Sequence, residues 1–82
     1  MNMDTKDLRK TLQTVLRRLP EGEDDDLWAS GLIDSLTVVE LVATLEDRYG
    51  VQFAPEQLRK ENFESLACIR RAIEAAAAGG RR

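Results

Sequence analysis

The stretch S-L-T-V-V-E-L-V-A-T-L-E-D-R-Y-G, from Ser35 to Gly50, carries two apolar faces where a surface helix needs only one. With Leu36 at the origin and about 100° per residue, Leu41, Leu45, Val38, Tyr49 and Val42 span about 140° to 240°, a core-facing arc. Asp47, Glu40, Thr44, Thr37 and Arg48 fill about 20° to 120° and should face water. Glu46, Val39, Ala43 and Leu36 occupy the remaining sector, a second apolar stripe edged by Glu46 on one side and by Asp47 and Glu40 on the other. Two readings are open for that stripe. Leu36, Val39 and Ala43 pack under the preceding loop or a neighbouring helix, or they dock a partner through an apolar centre with a charged rim. Gly50 suits the left-handed C′ position that ends a helix, with Val51 placed for the accompanying apolar contact.

Other helices follow on both sides. Leu8, Leu12, Val15, Leu16 and Leu19 share an arc of about 100°, which predicts a helix from Asp4 or Thr5 to Leu19. Pro20 stops it, because proline disfavours helical geometry at the residue before it. A loop from Pro20 to Asp34 comes next, and loops of such length in small domains tend to be functional. Phe53-Ala54-Pro55 opens a short helical turn, since proline is favoured at the first helical position. A last helix starts near Ser65 and carries Leu66, Ile69, Ile73 and Ala76 on one side, with Phe63 also in the core. Gly79-Gly80 end it. No segment shows strand periodicity. The expectation is an all-α four-helix bundle of three main helices and one short one, with a long loop between the first two. A single domain covers 1–82, ordered over about 5–77, with residues 78–82 as a frayed tail.

Charge is divided unevenly along the 82 residues, although 12 basic and 15 acidic side chains leave a net of only −3. Residues 1–20 hold five basic and two acidic side chains, residues 21–56 one basic and ten acidic, and residues 57–82 six basic and three acidic. The balances are therefore +3, −9 and +3. An acidic middle does not suit nucleic acid, whose phosphates need a basic surface. It suits basic protein partners, or simply solvates the loop. The chain has no histidine and one cysteine, which exclude a Ser-His-Asp triad, a Cys-His pair, a His-bearing zinc site and an internal disulfide. An EF-hand counted from Asp24 fails because Trp28, Ala29 and Ser35 stand where an oxygen ligand, glycine and glutamate are needed. A helix-turn-helix fails because its best recognition helix is acidic. No apolar run approaches the ~20 residues of a membrane helix, so a cytoplasmic, monomeric protein without a metal is expected.

Immediately before the two-faced helix stands Gly31-Leu32-Ile33-Asp34-Ser35-Leu36. Ser35 would lie at the helix N-terminus, where free backbone N–H groups and the macrodipole favour a phosphate ester. Asp34 would cap the helix or bind a metal beside that phosphate. In G-L-I-D-S-L, V-V-E-L-V-A-T-L-E-D-R-Y-G-V and N-F-E-S-L-A-C-I-R-R-A-I, the chain resembles the acyl carrier protein family from about Leu8 to Ala76. The resemblance implies that a phosphopantetheinyl transferase, using magnesium, moves 4′-phosphopantetheine from coenzyme A onto Ser35. The arm's thiol would then hold an acyl or aminoacyl group as a thioester, loaded by a ligase or acyltransferase and passed to a downstream synthase or transferase. Such a carrier is not an enzyme. Partners with basic patches would read Asp34, Glu40, Glu46 and Asp47, with Leu36, Val39 and Ala43 as apolar contacts.

Three features separate the chain from housekeeping fatty-acid carriers. Thr37 replaces a common acidic residue after D-S-L, Arg48 interrupts the acidic face, and much of the acid lies in the loop from Glu23 to Asp26. The segment L-W-A-S-G-L-I-D-S-L is more similar to free-standing carriers of specialised pathways, or to aminoacyl and D-alanyl carriers. It lacks the G-G typical of peptidyl carrier domains. Trp28 is expected to pack the loop onto the bundle, and Cys68 to be a small buried hydrophobe. The competing reading is an unmodified helical adaptor that uses the acidic, apolar face only to bind a protein.

Overall fold

A computed structural model describes residues 5–79, and among them every regular element is helical. Helix α1 spans Thr5–Leu12, α2 spans Ser35–Tyr49 and α3 spans Leu66–Gly79, with short 3₁₀ turns at Pro55–Gln57 and Lys60–Phe63 between α2 and α3. The all-α class holds. Where three main helices and one short one are expected, the described residues form three α-helices and two single 3₁₀ turns. Residues 80–82 of the expected tail lie outside the described residues, while Ala78 and Gly79, also assigned to it, continue α3.

Helix α1 is shorter than its apolar spacing suggests, ending at Leu12 and not Leu19. Threonine explains the difference. Thr11 Oγ1 donates to the Asp7 carbonyl at 3.0 Å and Thr14 Oγ1 to the Thr11 carbonyl at 2.7 Å. Hydroxyls that compete for helix carbonyls loosen the ladder, and Thr14 and Val15 N–H now donate three residues back. The apolar face survives the change: Leu8, Leu12 and Leu16 are buried, and Val15 and Leu19 pack against them.

Helix α2 keeps the expected core arc. Leu41 and Leu45 are fully buried, with Val38, Val42 and Tyr49 packed beside them. Gly50 ends the helix at φ 64°, its N–H donating to Glu46 O at 3.0 Å, and Val51 is buried after it. The first 3₁₀ turn begins at Pro55 as expected, and Phe53 meets Phe63 with ring centroids 6.1 Å apart. Helix α3 buries Leu66, Ile69, Ile73 and Ala76, and Ser65 Oγ accepts the Cys68 N–H at its start. Cys68 itself is only half-buried, since it stands at the edge of that face.

Residues 13–34 contain no regular element, yet the segment is firmly attached. Leu27 is fully buried, its N–H donates to Glu64 O at 2.8 Å, and its carbonyl accepts the N–H groups of Leu32 and Ile33. Ala67 N–H, at the start of α3, donates to Glu23 O at 3.1 Å. Part of the acidic run is used locally: Asp26 Oδ1 accepts the N–H groups of Trp28 and Ala29, and Asp25 Oδ2 accepts that of Gly22. These bonds place Ile33 in the core and deliver Asp34 to the start of α2.

Candidate functional site

Asp34 is the N-cap of α2, in extended conformation, and its Oδ1 accepts the Thr37 N–H at 2.8 Å. Hydrogen bonds from the backbone and side chain of Thr37, and from the Leu36 backbone, hold its carboxyl below the usual aspartate range, with a smaller contribution from the positive charge of Arg17. Capping accounts for its geometry. No group of acidic or cysteine side chains suited to a metal occurs among the described residues. The capping carboxylate takes the Thr37 N–H, one of the amides that the sequence reading left free for a phosphate.

Ser35 is the first residue of α2 and is exposed. It borders a groove of about 280 Å³ walled by Trp28, Val38, Leu58, Arg59, Lys60 and Phe63. Lys60 Nζ lies 5.4 Å from the centre of the Trp28 ring. Trp28 does pack the loop against the core, and its buried Nε1 has no acceptor among the described residues. On the side of the preceding loop, Arg17 and Arg18 line a second cleft of about 420 Å³ with Ser30, Gly31 and Leu32. Sequence reading missed the cationic wall of the first groove. Arg59 and Lys60 are remote from Ser35 in the chain, and only the turn after α2 folds them back toward it.

The second stripe of α2 is open. Leu36 is 74% exposed and Val39 65%, and Ala43 is exposed next to them. Packing of this stripe beneath the loop is excluded. Glu40 and Asp47 are exposed as its acidic border. Glu46 is different: it is half-buried and its Oε2 accepts the Phe53 N–H at 2.9 Å, tying α2 to the following turn. Arg48, the cation that interrupts the acidic face, pairs with Asp7 of α1, whose other oxygen accepts the Tyr49 hydroxyl at 2.8 Å.

The site residues suit a phosphopantetheine group. Ser35 Oγ is accessible, cations flank it on the groove side, and an apolar wall begins beside it. Comparison with known proteins agrees. The D-alanyl carrier protein of Leuconostoc citreum (strain KM20) is 33% identical over 42 residues, 51% of this chain and 54% of that protein. The D-alanyl carrier protein of Streptococcus suis (strain 05ZYH33) is 27% identical over 64 residues, 72% of this chain and 81% of its own length. The first match thus spans about half the relative's length. A family model described as "Phosphopantetheine attachment site" matches residues 6–70, most of the chain and all of α2 with the segment before it. The chain belongs to the phosphopantetheine attachment site family.

Proposed function

We propose that Ser35 is the attachment residue and that the protein carries acyl or aminoacyl groups between enzymes that it does not itself catalyse for. The carrying observation is the placement of Ser35: an exposed hydroxyl at the first residue of a helix whose preceding aspartate is already engaged as cap. When bound, 4′-phosphopantetheine supplies a thiol on a long flexible arm, able to hold an acid as a thioester. This chain contributes the nucleophile. Ser35 Oγ forms a bond to the phosphorus bearing the pantetheine of coenzyme A, the pyrophosphate bond breaks, adenosine 3′,5′-bisphosphate leaves, and the hydroxyl proton passes to a base of the transferase. Asp34 orients the serine by fixing the helix start.

The cargo is proposed to be a small acid of the aminoacyl or acyl class, with the two named D-alanyl carriers as the supporting comparison. The docking face is proposed to be Leu36, Val39 and Ala43 with Glu40 and Asp47, approached by transferase and ligase surfaces that are basic. Glu46 contributes to the rim only through the oxygen that Phe53 leaves unused. An unmodified adaptor would use the same face, but it gives no role to an exposed serine in a matching attachment segment. Incubation with coenzyme A, magnesium and a broad-specificity phosphopantetheinyl transferase should add one phosphopantetheine, seen as a gain in intact mass. Ser35→Ala should abolish the gain while the circular dichroism stays helical. A folded wild-type protein that gains no mass would refute the carrier reading.

A further inference from the structure

We infer that the cleft lined by Arg17 and Arg18 is a second docking site, which receives an acidic side chain of the transferase that loads Ser35. The inference rests on Ser35 as the attachment residue, and it adds a cationic pole to the acidic, apolar face proposed on α2. Arg9, Arg48, Arg70 and Arg71 are each engaged within the fold. Arg9 donates to the Glu21 carbonyl at 3.0 Å, Arg48 pairs with Asp7, Arg70 pairs with Glu23, and Arg71 donates to Cys68 Sγ. Arg17 and Arg18 differ: both are exposed, and among the described residues neither forms an ion pair. They line an open cleft of about 420 Å³ with Ser30, Gly31 and Leu32.

Backbone bonds fix the loop wall of this cleft. Ser30 N–H donates to Asp26 O at 3.1 Å, Gly31 N–H to Trp28 O at 3.1 Å, and Leu32 N–H to Leu27 O at 3.0 Å. The cleft also lies close to the reacting hydroxyl. Ser30 to Leu32 lead directly into Asp34 and Ser35, and the charge of Arg17 reaches the Asp34 carboxyl, which it helps to keep ionised. The exposed face of α2 starts from Leu36, on the other side of Ser35 along the chain. An enzyme that seats its active site over Ser35 therefore meets both patches. Arginine forks hold carboxylates through paired, charge-assisted hydrogen bonds, and the cleft has room for such a side chain. Coenzyme A is the other anion of this reaction. Phosphoryl transfer keeps the attacking and leaving oxygens roughly in line, so its adenosine bisphosphate departs on the side away from Ser35 Oγ. The cleft, part of the carrier's own surface, is left to the enzyme. Patches of opposite sign then set the direction of approach, because a rotated partner would bring its basic surface against the arginines.

The sign of a charge reversal separates this contact from general attraction. Basic transferase surfaces are drawn to an acidic carrier, so Arg17→Glu combined with Arg18→Glu would speed loading by long-range steering alone. Docking predicts the reverse. With coenzyme A, magnesium and a broad-specificity phosphopantetheinyl transferase at low salt, the double reversal should lower kcat/KM by about three- to tenfold, mostly through a raised KM. Arg17→Gln combined with Arg18→Gln should lose less, and both deficits should shrink as salt rises. Melting temperatures should stay near that of the wild type, because both side chains are exposed. An unchanged or raised kcat/KM in the charge-reversed protein overturns the docking site, while mass gain by the wild type leaves Ser35 as the attachment residue. Loading from 3′-dephospho-coenzyme A distinguishes the enzyme's carboxylate from the cofactor's phosphate. The preference for coenzyme A over its dephospho form should be equal in the wild type and in the glutamine variant. A preference that collapses in the variant assigns the cleft to the 3′-phosphate of coenzyme A and overturns the enzyme contact. Absence of any mass gain overturns attachment, and the docking site with it.

Discussion

Asp34 shows how one side chain can decide what its neighbour does. Its carboxylate caps the start of α2 through the Thr37 N–H, and Ser35 beside it remains exposed. The cap also ties helix stability to pH. Hydrogen bonds that depress the folded-state pKa make the ionised form the stabilising one. That contribution is present above the unfolded aspartate value of about 3.9 and is lost as pH falls through the lower folded value. Asp34→Asn keeps a good cap without a titrating group. Its melting temperature should therefore fall less steeply below about pH 4 than that of the wild type. An equally steep acid limb in thermal melts would show that the charge of the cap adds nothing. Asp7 is depressed as well, chiefly by the Tyr49 hydroxyl and then by Arg48, so part of the acid sensitivity will persist in the variant.

At the scale of the element, α2 divides its surface between the core and the outside. Leu41 and Leu45 are sealed in, whereas Leu36 and Val39 stand largely in water. Residues that touch nothing in the fold contribute little to its stability, typically within about 0.5 kcal/mol. Leu36→Ala and Glu40→Lys should accordingly leave the melting temperature nearly unchanged. Both should slow loading by the transferase, the charge reversal by about three- to tenfold at low salt and by less as salt rises. Equal transferase kcat/KM for variant and wild type at low salt would remove this face from the docking surface. The periodicity of α2 was readable from residues 35–50 because a long helix averages its pattern over several turns. Its junction with α1 was not. Arg48 looked like a blemish on an acidic face until Asp7 appeared opposite it, and a pairing 41 positions apart has no local signature.

For the molecule as a whole, the irregular segment between α1 and α2 is part of the core. Leu27 is fully buried and its backbone bonds reach Glu64, Leu32 and Ile33. Leu27→Ala should cost about 2–5 kcal/mol in chemical denaturation, the range for truncating a buried leucine. That is a large share of the roughly 4–12 kcal/mol expected for a chain of this length. A loss below about 0.5 kcal/mol would mean that the segment detaches without consequence. Sequence reading placed Ser35 at the start of α2 and found the α2 core arc and the α3 face because each depends on neighbours within a few residues. It overextended α1, where apolar spacing persists through turns that threonine hydroxyls have loosened. It also missed the cations near Ser35, since the tally along the chain placed Arg59 and Lys60 in a separate basic block. Charge along a chain and charge in space differ wherever a turn reverses direction, as the two 3₁₀ turns do here. The allocation of α2 has a last consequence, for how freely carriers of this kind can diverge. Val38, Leu41, Val42, Leu45 and Tyr49 answer to the core, Leu36, Val39 and Ala43 to the docking proposed above, Ser35 to the attachment proposed for it, and Glu46 and Arg48 to adjoining segments. Thr37, Glu40, Thr44 and Asp47 are what remains, and two of these are acidic rim. Neutral drift thus has few positions on this helix, and a lineage that acquires new enzymes must retune within them or move its variation into the flanking loops.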